Sequence, residues 1–476
     1  MDATQKILNL FEQISAIPRG TGREAALSAW LQDWAARRQC SSSVDAAGNL
    51  VIRVPPSSGF EQAPIIILQG HMDMVCEKTP DSPHNFLTDP IRCLVSGEWL
   101  HADRTTLGAD NGIALALAMA LVEDPSVGHP PLELLFTVEE EVGIGGANRL
   151  QPGFLAGKIL LNLDSEDEGT FIVGCAGGQT TRLALPMTLE PLASRQAWQV
   201  KVSGLQGGHS GVDIHKHRAS ANQLLARTLA RLGQLCALRL VSLQGGTAHN
   251  AIARSAVAAI AFDPARQGQV EEELQRLQAV YRGEYALSDP AITLELTAVP
   301  AQQAASLADT ARALQLLLAL PHGVASMSAS VEGFVETSNN LAALGMSAEA
   351  LHIVTSQRST VMSRLAELSG RIGAIGALAG AEVAHSEAYS GWQPEPESAL
   401  VQRSAAIYTA TFGHPPEVKM IHAGLECGVI GGIFSGMQMI SLGATLQNPH
   451  SPNERLHIPS VGRVWQYLVA FFDSYR

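Results

Sequence analysis

The residues best suited to chemistry in this sequence are three consecutive glutamates at 139–141. They follow an apolar segment, residues 132–138, whose leucine, phenylalanine and β-branched residues are typical of a strand buried on both faces. Gly143, Gly145 and Gly146 then supply a tight turn. Three carboxylates at the end of a buried strand repel one another unless a cation lies near them. The triplet alone also fits a solvated acidic turn, so the choice depends on the rest of the chain.

Two more segments end in a histidine or an acid. His71 and Asp73 end an apolar segment that begins at Pro64, and Asp164 follows the apolar residues 159–163. His71 and Asp73 project to the same side of an extended chain, so His71 can bind a metal while Asp73 orients the site. In open α/β sheets the carboxyl ends of the strands form the ligand-binding edge. We therefore expect these side chains to converge with the glutamates.

Two loops offer further ligands. Asp110 lies directly before a predicted helix at 113–122, and His450 lies in a proline-braced loop after a predicted strand at 437–442. Asp110 or Asn111 can serve simply as the N-cap of that helix, or Asp110 can offer its two oxygens to two separate cations.

The candidate ligands carry nitrogen and oxygen donors and no thiolate, which suits Zn²⁺, Mn²⁺ or Co²⁺. Three carboxylates nearly neutralise two dications, whereas around a single ion they would repel one another, so the sequence predicts two metal ions. Such a pair activates a bridging hydroxide and polarises a carbonyl, and a nearby free glutamate can act as general base, which is machinery for hydrolysis. The HExxH motif of zincins and the GxSxG motif of serine hydrolases do not occur. The candidate ligands are His71, Asp110, Glu141, Asp164 and His450.

Several elements must position these residues. The chain has 476 residues, which is long for one core and predicts two domains, and its hydrophobic content of 46% is ample for both. The pattern of apolar strands and helices predicts the α/β class. We predict a catalytic domain formed by 1–185 and 386–476, with an inserted α+β domain at 186–385. In the insertion, two similar rounds of strands and helices are predicted. The strands are near 198–202, 238–243, 256–262, 292–299, 326–334 and 350–355, and the helices near 219–232, 270–281, 307–320 and 361–378.

Composition and apolar patterning restrict the classes of partner and the cellular location that we expect. The formal net charge of −13 disfavours nucleic acid or an anionic membrane. The most apolar run, 113–122, is shorter than the roughly 20 residues that a bilayer requires, and residues 1–20 read as an amphipathic helix and not as a signal peptide. Six scattered cysteines without a CxxC pair fit a reducing cytoplasm.

Five ordered motifs resemble those of the co-catalytic zinc aminoacylase/carboxypeptidase family. They are His71-Met-Asp73, Gly108-Ala-Asp110-Asn-Gly112, Thr137-Val-Glu-Glu140-Glu141-Val-Gly143, Asn162-Leu-Asp164-Ser-Glu and Pro449-His450-Ser. Three more motifs resemble the aminoacyl-histidine dipeptidase branch, also called Xaa-His or cytosol non-specific dipeptidases. These are Gly207-Gly-His209-Ser-Gly211, Gly245-Gly-Thr-Ala-His-Asn250 and His422-Ala-Gly-Leu-Glu426-Cys-Gly428. The resemblance implies a zinc-peptidase-like mixed sheet flanked by helices, with an inserted lid.

The resemblance also implies roles for the catalytic domain. His71 and Asp164 would hold one metal, most often zinc in this family, and Glu141 and His450 would hold the other. Asp110 would bridge the two metals, and Asp73 would orient the site. Glu140 would act as the general base.

In the lid, the resemblance makes His209 the donor to the developing oxyanion, and Asn250 and Arg358 contacts to the substrate. Glu426 would pair with the substrate's α-amino group. In relatives with small lids the histidine comes from a partner subunit. Whether His209 acts within its own chain or across a homodimer stays open.

The implied activity is metal-dependent hydrolysis of unblocked dipeptides, notably Xaa-His. The alternatives on the same scaffold are an aminotripeptidase and an N-acyl-amino-acid hydrolase. A non-catalytic binding homologue is the alternative from another class, and the intact ligand set with Glu140 argues against it.

Overall fold

A computed structural model describes residues 2–192, 196–329, 331–393, 395 and 397–476. The chain divides into two units. Unit 1 comprises Met1–Cys175, Trp392–Met420 and Leu425–Arg476, and unit 2 comprises Ala176–Gly391 and Ile421–Gly424. The predicted insertion at 186–385 lies within unit 2, and its boundaries stay a prediction. In the described part of the chain, no helix combines the length and the apolar character that crossing a lipid bilayer requires.

Unit 1 is built on an eight-stranded mixed sheet. Its four central strands are parallel neighbours, an arrangement that continuous apolar runs buried on both faces favour. From one edge to the other, the strands are Ser41–Val44, Leu50–Val54, Leu132–Thr137, Ile66–His71, Ile159–Asn162, Gln438–Ser441, Thr170–Cys175 and Glu417–Ile421. A smaller sheet orders Leu446–Gln447, Arg455–His457, Trp99–Ala102 and Cys93–Ser96, the last two forming a hairpin.

Helices cover the sheet of unit 1. Ala109–Glu123 is apolar on all sides and packs against the first helix and the strand Ile66–His71, so it lies inside the core. The first and last helices are amphipathic and bury one face each. The α-helices are Ala3–Ser15, Ala25–Arg37, Ala109–Glu123, Ala399–Phe412, Glu426–Ile433 and Ile458–Asp473.

Unit 2 contains a nine-stranded antiparallel sheet and helices, which agrees with the predicted α+β character. In order, its strands are Thr293–Pro300, Gln196–Ser203, Ala256–Ala261, Arg239–Gly245, Val335–Met346, Ala350–Ser359, Gly177–Pro186 and Glu382–His385, and Gly323–Met327 pairs with Val335–Met346. Its α-helices are Ala221–Leu235, Gln267–Glu284, Leu307–Ala319 and Met362–Leu378. Short strand pairs join Leu189–Pro191 to Gln303–Ala305 and Gly208–His209 to Ala251–Ile252.

The predicted class, a mixed sheet flanked by helices with an additional α+β region, is confirmed. The strand predicted at 326–334 is wrong. Gly323–Met327 ends there, and the chain turns before Val335–Met346 begins. Gly333 adopts a positive φ of 73°, and the Ser328 N–H donates to the Phe334 carbonyl at 2.8 Å. A turn over 331–334, in which the Phe334 N–H donates to the Val331 carbonyl at 3.3 Å, therefore interrupts the predicted strand.

Candidate metal centre

Parallel pairing in unit 1 aligns the strand ends that carry the candidate ligands. His71 pairs with Thr137, and Gln69 pairs with Asn162 on the other side. Asp164 and the glutamates at 139–141 therefore emerge beside His71 at one edge of the sheet.

Asn111 ties the Asp110 loop to the same edge. Its Oδ1 accepts from the His71 N–H at 3.3 Å, and its Nδ2 donates to the Leu163 carbonyl at 3.0 Å. The peptide bond between Asp110 and Asn111 is cis.

The structure brings all five candidate ligands together in two groups that share Asp110. Ligand atoms of His71, Asp110 and Asp164 lie within 4.8 Å of one another, and so do those of Asp110, Glu141 and His450. His71 Nε2 lies 3.0 Å from Asp110 Oδ1, whereas His450 Nε2 lies 3.1 Å from Asp110 Oδ2. Each oxygen of Asp110 thus faces a different histidine, which is the arrangement expected of a carboxylate between two cations.

The remaining distances complete the two groups. His71 Nε2 lies 3.6 Å from Asp164 Oδ1, and His450 Nε2 lies 3.0 Å from Glu141 Oε2. Of the adjacent glutamates, Glu141 therefore faces His450, while a third group joins Glu140 to His71 and Glu141.

Asp73 is fully buried beneath His71 and the glutamate loop. Its Oδ1 lies 3.3 Å from His71 Nδ1 and accepts the Glu140 N–H at 3.1 Å. Its Oδ2 accepts the Glu141 N–H at 3.2 Å and the Thr21 hydroxyl at 2.9 Å. Asp73 therefore fixes both the ring of one candidate ligand and the backbone of another.

The electrostatics of this edge fit a bound cation. Burial, together with Glu426, Glu141 and Asp110 nearby, raises the pKa of Glu140 to about 8. Burial and the neighbouring acids Asp110 and Glu140 likewise raise the pKa of Asp164 well above its usual value. Glu141 Oε1 is buried without a hydrogen-bond partner among the described residues. Crowded carboxylates and a buried oxygen without a hydrogen-bond partner are features that fit a cation-binding site.

Glu426, predicted to meet the substrate's amino group, lies in unit 1 and is fully buried. Its Oε2 accepts from Gln69 Nε2 and from the Thr137 hydroxyl, the latter at 2.8 Å. Its Oε1 has no hydrogen-bond partner in the described chain. The predicted contact between Glu426 and a substrate amino group stays a proposal.

The predicted lid residues all lie in unit 2. His209 Nδ1 accepts the backbone N–H groups of Gly211 and Val212, both at 3.2 Å, so in the neutral ring the proton sits on Nε2. Asn250 is exposed, and its carbonyl accepts the Ser210 N–H at 2.8 Å.

Arg358 is 6% exposed and donates from Nη1 to the Tyr389 hydroxyl at 3.0 Å. Its Nε has no hydrogen-bond partner in the described part of unit 2.

Sequence reasoning missed two polar residues near Arg358. Ser338 pairs with Arg358 across neighbouring strands, and its hydroxyl lies 2.7 Å from His422 Nε2. Burial and the positive charge of Arg358 lower the pKa of His422 to about 3, so its ring is neutral. The motif that begins at His422 was noted for Glu426 alone. A polar run at 337–340 inside a predicted α+β region was the available signal for Ser338.

The fold of unit 1 and its ligand geometry define a class, the metal-dependent peptidases. A family model described as "Peptidase dimerisation domain" matches residues 200–288. The cytosol non-specific dipeptidase of Escherichia coli (strain K12) is 38% identical over 467 residues, which is 98% of this chain and 96% of that protein. The chain belongs to the cytosol non-specific dipeptidase family, and the resemblance seen in the motifs is confirmed.

Solved structures agree with this assignment. The crystal structure of aminoacylhistidine dipeptidase from Vibrio alginolyticus has 35% sequence identity and a TM-score of 0.84, and the match covers 98% of this chain and 96% of that one. An aminopeptidase from Bacillus cereus, at 15% identity and a TM-score of 0.57, covers 99% and 98% of the two chains and shows the shared fold alone.

Proposed function

We propose that this protein hydrolyses the peptide bond of dipeptides with a free amino terminus, including Xaa-His, in the cytoplasm. The observation that carries the proposal is Asp110, whose two oxygens face His71 and His450 on opposite sides. The similar proteins named cytosol non-specific dipeptidase and aminoacylhistidine dipeptidase support the substrate class, and the first of these names also supports the location.

The ligand geometry supports two divalent ions, for which we propose zinc, with manganese or cobalt as substitutes. His71 and Asp164 would hold one ion, Glu141 and His450 the other, and Asp110 both. When bound, such ions supply Lewis acidity that activates water and polarises the substrate carbonyl. Asp73 holds the His71 ring and the glutamate loop in position for them.

Glu140 is the proposed general base. It takes a proton from the attacking water and returns it to the leaving amine, which lets one carboxyl group serve both halves of the reaction. The Asp73 carboxylate accepts the Glu140 N–H and so fixes its backbone, while the adjacent Glu141 faces His450. This geometry favours Glu140 as base and Glu141 as ligand over the reverse assignment.

The lid supplies donors for the substrate. His209 carries its proton on Nε2, which suits donation to the developing oxyanion. A preorganised donor of this kind stabilises the transition state by about 3 kcal/mol in comparable sites. We propose that Asn250 and Arg358 contact the substrate's carbonyl or carboxylate. The family model over residues 200–288 supports a homodimer, and within it His209 can act in its own chain or in its partner.

The test combines metal removal with a substrate panel. The purified enzyme is assayed on an Xaa-His dipeptide, other dipeptides, a tripeptide and an N-acetylated amino acid, before and after exhaustive chelation. We expect dipeptides to be cleaved fastest, activity to vanish on chelation, and zinc, manganese or cobalt to restore it. Preference for the tripeptide or the acylated amino acid identifies an aminotripeptidase or an N-acyl-amino-acid hydrolase, and undiminished cleavage after chelation refutes the metal mechanism.

A further inference from the structure

Two buried, oppositely charged residues lie next to the candidate metal centre without belonging to its ligand set. Arg19 is 1% exposed and Glu454 is 2% exposed. Burial of either charge is costly unless hydrogen bonds compensate for the lost water. Their contacts therefore indicate what they hold in place.

Arg19 joins two ligand-bearing loops through their carbonyl groups. Its Nη1 donates to Met72 O at 3.0 Å and Asp73 O at 2.8 Å, directly after His71. Its Nη2 donates to Gly108 O, two residues before the bridging candidate. The planar guanidinium thus spans the His71 loop and the loop that precedes the buried helix.

Two glycines make room for the Arg19 side chain. A Cβ atom added at Gly108 or at Gly112 would lie 2.6 Å from Arg19 Nη2. Gly108 also adopts a positive φ of 69°, which disfavours other residues. Glycine at both positions therefore leaves the room that the Arg19 guanidinium occupies.

Glu454 holds the same loop from its amide side. Its Oε2 accepts the N–H groups of Leu107 at 2.8 Å and Gly108 at 3.0 Å. Its Oε1 accepts those of Ala109 at 2.8 Å and Asp110 at 3.3 Å. The N–H groups of Ala109 and Asp110 lie in the first turn of the helix Ala109–Glu123 and have no partner within it, so the carboxylate also offsets the helix dipole.

Glu454 follows His450 by only four residues along the chain, so its carboxylate ties the His450 loop to the Asp110 loop. Together, Arg19 and Glu454 connect the three loops that bear His71, Asp110 and His450. An apolar pair of similar volume would fill the same space equally well. Such a pair would not connect these backbone segments.

We propose that Arg19 and Glu454 are positioning residues that set the separation of the three ligand loops and thereby the affinity of the centre for its metals. The inference rests on the proposed function, because it concerns the same metal centre. Residues that orient ligands from outside commonly change metal affinity or activity by about 10–100-fold when replaced.

The test compares Arg19→Lys and Glu454→Gln with the wild-type enzyme. Lysine cannot span both loops, and glutamine offers one acceptor oxygen where the four N–H groups require two. Metal content and the dissociation constants of both ions are measured by competition with a chelator, alongside kcat and KM. The matched controls are Arg37→Lys and Glu98→Gln, whose side chains lie on the surface of unit 1.

We expect both variants to bind metal about 10–100-fold more weakly than the controls, with kcat recovering as metal is added in excess. Because both residues act on one loop, the double variant should lose less than the product of the two single effects. Glu454→Asp, which keeps the charge on a shorter side chain, decides the question if the glutamine variant does not fold.

Folded variants with unchanged metal affinity would overturn the inference, even if their thermal stability falls, because a merely structural role predicts that result. A wild-type enzyme that binds no metal refutes the proposed function itself. If the wild-type enzyme and the variants bind two ions equally well, only the positioning role is refuted.

Discussion

Replacing Asp73 by asparagine should lower both the stability of the metal-free chain and the metal affinity of the centre, because asparagine cannot accept the same hydrogen bonds. Oδ1 accepts the Glu140 N–H and Oδ2 accepts the Glu141 N–H, at 3.1 and 3.2 Å. An amide has one acceptor oxygen, so in either orientation one of these N–H groups faces an NH₂ group and loses its acceptor. The Thr21 hydroxyl can rotate to accept instead of donating, whereas a backbone N–H cannot.

A buried donor without a partner costs about 1–3 kcal/mol, so the free energy of unfolding of the metal-free Asp73→Asn variant should fall by about that amount. The same change loosens the His71 ring, because His71 Nδ1 lies 3.3 Å from Asp73 Oδ1. Loss of an orienting partner should reduce metal affinity or kcat by about 10–100-fold.

Urea unfolding of the metal-free chain measures the first effect, and metal titration with steady-state kinetics on a dipeptide measures the second. Asp33→Asn, on the exposed side of the helix Ala25–Arg37, is the matched control. An Asp73→Asn variant that equals this control in stability, metal affinity and kcat would refute the role assigned to the carboxylate.

Four further changes separate the remaining roles. Glu140→Ala should lower kcat by about 10²–10⁴-fold while metal analysis still finds both ions, since a base is not a ligand. Glu141→Ala should lose metal stoichiometry, and the opposite pattern in this pair of variants would shift the assignment by one residue. His209→Ala should lower kcat by about 10²–10³-fold with metal content unchanged, and an equal loss of metal would argue against an oxyanion role. Glu426→Gln should reduce turnover of a dipeptide more than that of its N-acetylated analogue if Glu426 pairs with the amino group. Equal losses on both substrates would instead assign it to support of Gln69 and Thr137.

Much of the fold was predictable because its central strands have a clear signature. Strands buried on both faces in a parallel sheet are continuous apolar runs, and Ile66–His71, Leu132–Thr137 and Ile159–Asn162 lie at or close to their predicted positions. The strand predicted at 326–334 was wrong because periodicity does not register a turn closed by a backbone hydrogen bond, such as that from the Phe334 N–H to the Val331 carbonyl.

The sequence by itself determined which residue types stand at the strand ends, and with them the nitrogen and oxygen ligand set and the family. His71, Glu141 and Asp164 are recognisable because parallel strands end at one edge, so their order along the chain implies their proximity.

The tertiary structure alone decided which charges are buried. Arg19 and Glu454 look like ordinary surface residues in the sequence, yet both bind backbone groups of the Asp110 loop. Backbone carbonyls and N–H groups are the same at every residue, so a side chain that binds them leaves no pattern in the sequence. Only the folded chain, which places residue 454 against residues 107–110, determines that partner, because the hydrogen bonds depend on position in space and not on residue type.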